Sequence, residues 1–77
     1  MTIGDLKRLF GTAIKGKRSE LGISQEELGF RADLHRTYVS QLERGLKSPS
    51  LRAILRIARG LGCPAARLVA SAELPRR

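Results

Sequence analysis

Few side chains in this sequence have reactive chemistry to offer. His35 and Cys63 are single representatives of their kinds, so no set of histidines and cysteines exists to hold a metal or build a disulfide framework. Cys63 reads as buried packing. No nucleophile stands with a base, and no glycine loop is fit to cradle a phosphate, so an enzyme is not expected and no cofactor is implied. What does recur is hydrogen-bonding chemistry on one short stretch. The Arg36 guanidinium is a fork that matches O6 and N7 of guanine, and the Gln41 amide suits adenine. Each has a plainer reading: Arg36 as a solvated arginine or phosphate clamp, Gln41 as a surface glutamine. Thr37 suits a thymine methyl or a phosphate.

These residues need a helix to carry them, and the pattern supplies five with no convincing strand. Leu6, Phe10, Ala13, Ile14 and Leu21 recur at helical spacing over about 4–21, with Gly22 as the stop. Gly11 and Gly16 weaken that helix by ~1 kcal/mol each relative to alanine. Ser24 followed by Glu27 is a capping box opening a second helix that ends near Ala32. The third covers about 35–44, with Val39 and Leu42 inward and Gly45 as its stop. Ser48-Pro49 opens the fourth, whose core face is Leu51, Ile54, Leu55, Ala58 and Leu61, with Arg52, Arg56 and Arg59 opposite. Pro64 opens a short fifth with Leu68 and Val69 inward. The Asp33-Leu34 connector is so short that the third helix must turn sharply across the second. Gly29 falls at their closest approach, and Asp33 tolerates the left-handed backbone such a turn needs.

The chain has 77 residues, which bounds it to one domain, with a core over about 6–71 and a frayed tail over 72–77. A core this small gains by being shared with a second copy. A 42% hydrophobic content argues against disorder. The net charge of +8 calls for a polyanionic partner. The apolar runs are too short for a membrane span, and residues 1–10 lack the apolar stretch of a secretory signal, so the expected location is a reducing cytoplasm. The charge is uneven. Residues 1–23 and 46–77 are strongly basic, while Ser24 to Arg44 carries Glu26, Glu27, Asp33 and Glu43 against Arg31, Arg36 and Arg44. The flanks neutralise, and the middle reads or packs. One tyrosine, Tyr38, is too little aromatic surface for a stacking single-strand binder.

The runs LGISQEELG (21–29) and HRTYVSQLERG (35–45), with Pro49-Ser50, Ile57-Ala58 and Leu61-Gly62, resemble the phage repressor and Cro family of helix-turn-helix regulators, also called the xenobiotic response element family. The start of the second run resembles a subset of it, the restriction–modification controller proteins. The resemblance covers roughly residues 6–70. It implies an all-α, five-helix, lambda-repressor-like DNA-binding domain. It also implies a transcription regulator that sets its third helix in the major groove, as a homodimer on a palindromic operator. Promoter blocking and polymerase recruitment both remain open, and an antitoxin whose partner is a toxin protein is the rival reading. The resemblance assigns base contacts to Arg36, Thr37 and Gln41. It assigns backbone contacts to Gln25, Arg44 and Lys47, with Ser40 beside the base readers and Arg52 near the start of the fourth helix as further candidates. Arg18 and Glu43 match a structural ion pair, and Leu68 and Val69 fall where the family often dimerises. The sequence departs from the family at Asp33, where glycine is usual, and at His35, where a serine or threonine cap is usual.

Overall fold

The computed structural model describes residues 2–72. Over these it contains five helices: α1 (Ile3–Leu21), α2 (Gln25–Ala32), α3 (Arg36–Glu43), α4 (Leu51–Leu61) and α5 (Ala65–Ala70). Helix α1 begins with a reciprocal cap the sequence reading did not anticipate. The Asp5 amide donates to Thr2 Oγ1 at 3.0 Å, and the Thr2 amide donates to Asp5 Oδ2 at 3.2 Å. Those bonds, helped by Arg8, hold the Asp5 carboxyl below its ordinary value.

Two expected helix starts need correction. Ser24 caps α2, accepting from the Glu27 amide at 2.9 Å, but the carboxylate half of the box is missing. Glu27 accepts instead from Arg31 Nε, also at 2.9 Å, one turn along the same helix. Helix α4 is capped by Ser50, whose Oγ accepts from the Ala53 amide at 3.1 Å, and not opened by Ser48-Pro49. Both serines satisfy the local rule for a cap. The phase of α4 against the core selects the second.

The core comprises Phe10 and Ile14 of α1, Leu28 and Ala32 of α2, Val39 and Leu42 of α3, Ile57, Ala58 and Leu61 of α4, then Leu68 and Ala72. Helix α2 packs on α3 and α4, while α1 packs on α3, α4 and α5. Leu6, Leu21, Leu51 and Leu55, expected on core faces, are exposed, Leu51 by 73%. On α4 two apolar stripes lie side by side at helical spacing, and periodicity cannot say which faces inward. The stripe through Ala53, Ile57 and Leu61 is the buried one. Ala72, expected to begin a frayed tail, is buried; the rest of that tail lies outside the described residues.

Candidate nucleic-acid interface

The turn between α2 and α3 is built by backbone geometry. The Asp33 amide donates to the Phe30 carbonyl at 3.3 Å and the Leu34 amide to the Gly29 carbonyl at 2.8 Å. This is the double closure that ends a helix on a left-handed residue. The same closure ends α1, α3 and α4, each time on a glycine. Here Asp33 takes it, at φ 57°, as the only non-glycine residue with positive φ among the described residues. Gly29 is needed for a different reason: a Cβ there would stand 2.5 Å from the Leu34 carbonyl oxygen and 3.3 Å from the Arg36 amide nitrogen. Helix α3 then starts on His35, whose Nδ1 accepts from the Thr37 amide at 3.0 Å. The histidine fills the cap role that serine or threonine fills elsewhere in the resembled family.

Helix α3 is clamped from behind. Val39 and Leu42 sink into the core, and the Glu43 side chain is only 2% exposed. Arg18 of α1 meets that carboxylate side-on, with Nε to Oε2 at 2.7 Å and Nη2 to Oε1 at 3.0 Å. Its remaining nitrogen, Nη1, donates to the Ile23 carbonyl at 2.9 Å. Gln25 completes the cluster, its Nε2 donating to Glu43 Oε1 at 3.0 Å. The hydrogen bonds to Glu43 hold the Arg18 guanidinium above its ordinary value, more than offsetting the opposite effect of burial. One buried carboxylate thus ties the end of α3 to α1 and to the start of α2.

A close approach makes this clamp possible. A Cβ at Gly11 would run into the Leu42 carbonyl oxygen and stand 2.7 Å from the Glu43 carbonyl oxygen. Helix propensity shows Gly11 only as a cost to α1. The signal for its role was available, since a glycine in mid-helix beside Phe10 and Ile14 loses propensity for nothing unless another backbone lies against it.

With its inner side occupied, α3 turns Arg36, Thr37, Ser40, Gln41 and Arg44 outward, because positions three, four and seven apart return to one face at about 100° per residue. Arg36, Thr37 and Arg44 are exposed, and Ser40 and Gln41 half-buried. Lys47 is exposed in the link after α3, and Arg52 is exposed in the first turn of α4. Gln25 stands at the start of α2 with its amide nitrogen committed to Glu43, so an anion there would meet the unpaired amides of the helix terminus. Leu68 requires correction: it is 3% exposed in the protomer's own core and has no surface to offer a second copy. Its neighbour Val69, expected inward with it, is 43% exposed instead. Among the described residues no three groups of metal-ligating type come together, and no helix is long and apolar enough to cross a membrane.

A polar helix face, backed by a buried ion-pair cluster and joined by a tight turn to the helix before it, is the arrangement of a helix-turn-helix DNA-binding module. The helix-turn-helix family pattern matches residues 14–68. The control protein C.BamHI of Bacillus amyloliquefaciens is 44% identical over 59 residues, covering 75% of this chain and 73% of that protein. The control protein C.MunI of a Mycoplasma species is 36% identical over 72 residues, covering 92% and 97% respectively. Among solved structures, the restriction-modification controller protein C.AhdI from Aeromonas hydrophila superposes with a TM-score of 0.79 at 37% identity, covering 80% of this chain and 94% of that one. The chain belongs to the helix-turn-helix family of DNA-binding transcription regulators, in its xenobiotic response element branch.

Proposed function

We propose that the protein is a restriction–modification controller: a cytoplasmic homodimer that reads a palindromic operator in two successive major grooves and acts by occupancy, without catalysis. The observation that carries this reading is the outward face of α3 held by the buried Arg18–Glu43–Gln25 cluster. Arg36, Thr37 and Gln41 read bases. Ser40, Arg44, Lys47 and Arg52 hold the backbone, as do the first-turn amides at Gln25. The likeness to control proteins favours this over the antitoxin reading.

The dimer contact centres on Val69 in place of Leu68. Val69 lines an almost wholly apolar cleft with Ile3, Leu6, Pro49 and Ile54. A chain with so small a core has reason to cover that cleft with a second copy. Val69→Asp is expected to shift the protein to monomer in sedimentation equilibrium while the circular dichroism of the fold persists. An unchanged dimer would remove this face from the contact.

Selection of bound duplexes from a random pool tests the reading as a whole. The expected product is a palindrome whose half-site centres lie about 10–10.5 base pairs apart. A pool that fails to converge would overturn sequence-specific recognition.

A further inference from the structure

We propose that Glu26 is a positioning residue for the base-reading arginine: its carboxylate braces the Arg36 guanidinium at one nitrogen and leaves the opposite edge aimed outward for a guanine. The inference rests on the reading of Arg36 as a base contact. Arg36 Nη1 donates to Glu26 Oε2 at 3.4 Å, across the turn between two helices and ten residues along the chain. Nε and Nη2 have no protein partner among the described residues. Those two nitrogens form the side-on edge of the guanidinium, two parallel donors that fit N7 and O6 of guanine. Arg18 uses the same edge on the Glu43 carboxylate within this chain.

The brace follows from local structure. Gly29 lets the backbone of Arg36 lie against α2, which brings its side chain within reach of Glu26, one turn earlier on that helix. Glu26 stands in the first turn of α2, where the helix dipole favours a carboxylate. The neighbouring Glu27 is no competitor, because Arg31 holds it at 2.9 Å. Both members of the Glu26–Arg36 pair are largely exposed, at 74% and 64% of their side chains, so the pair adds little to the stability of the fold. Its effect is on where Arg36 points. A braced arginine enters the groove with its free edge set and loses less rotamer freedom on meeting a guanine. An unbraced one swings to any nearby phosphate, which rewards every sequence alike.

The test compares Glu26→Gln with the native chain on two duplexes: the selected operator, and the same operator with the base pair read by Arg36 exchanged. That base pair is the one at which Arg36→Ala relaxes preference. Glu26→Gln is expected to weaken the selected duplex about two- to fivefold. It should leave the exchanged duplex as tight as before or tighter, with no change in thermal midpoint. In the Arg36→Ala background, Glu26→Gln should leave base preference unaltered. If both duplexes tighten by the same factor, Glu26 contributes only bulk negative charge and the brace is overturned. If Arg36→Ala relaxes preference at no position, base reading by Arg36 fails and the brace fails with it. Failure of Glu26→Gln alone, with Arg36→Ala behaving as expected, removes the brace and leaves the base contact standing.

Discussion

Removing one partner from the Arg18–Glu43 pair is expected to be the most damaging conservative change in the molecule. The Glu43 side chain is 2% exposed and receives two bonds from Arg18 and one from Gln25; the Arg18 side chain is 15% exposed. In Arg18→Met the carboxylate stays buried with only the Gln25 amide to answer it. Two unit charges about 4 Å apart interact by ~4 kcal/mol at an effective dielectric constant near 20. Breaking a buried pair by deleting one member costs ~3–5 kcal/mol, in keeping with that figure. A chain of this length has a total stability of only ~4–11 kcal/mol. The single variant therefore loses a large share of it, and its thermal midpoint should fall by at least ~12 °C. Glu43→Leu should do similar harm by stranding Arg18. The double variant Arg18→Met with Glu43→Leu should recover most of the loss, because an apolar pair of similar volume replaces a buried ion pair at little net cost. The assay is urea unfolding followed by circular dichroism at one fixed protein concentration, read as a double-mutant cycle. The reasoning is refuted if either single variant loses less than ~1 kcal/mol, or if the double variant loses the sum of the two. The pH dependence has a definite sign. Arg18 is raised above its ordinary value, so its contribution is complete below that value and is lost only as pH climbs past the raised one. Stability should show no step from Arg18 through the neutral range.

Other expectations follow from the same geometry. Gly11→Ala gains helix propensity yet should destabilise by ~1–3 kcal/mol, because its Cβ meets the Leu42 and Glu43 carbonyls; a more stable variant in urea melts would contradict the close approach. Asp33→Gly should stabilise by ~0.5–1 kcal/mol by relieving a left-handed backbone, net of the greater freedom of the unfolded chain; a lower melting temperature would mean that the aspartate side chain supports the turn. His35→Ala should cost ~1 kcal/mol through the lost cap, and His35→Ser should restore it, both read by thermal melting. Lys47→Ala should weaken every duplex alike and flatten the salt dependence of binding by ~1 unit of slope, and an unchanged slope would separate Lys47 from the phosphates.

What the sequence alone determined was the set of local structures and the chemistry of one helix. Helical periodicity located five helices, Gly22 and Gly45 marked two of their ends, and the short Asp33-Leu34 link demanded a sharp turn. Gly29 and Asp33 were legible because a crossing that tight admits few residue types. The resemblance carried by residues 21–45 paired Arg18 with Glu43, two residues that no local rule connects, and the structure forms that bond. What tertiary structure decided was phase and partnership. Which of two apolar stripes on α4 faces the core depends on the helices packed against it, so Leu51 and Leu55 lie outside and Ser50 becomes the cap. On α5 Leu68 lies in the core as its inward reading required, whereas Val69, also read as inward, is exposed. The close approach at Gly11 and the Gln25 hydrogen bond exist only beside Glu43, and the Glu26 contact only beside Arg36. Periodicity is a property of one helix, whereas a contact belongs to two. The outward polar face of α3 was visible in its residues, but the hold on that helix comes from the buried Glu43 carboxylate behind it.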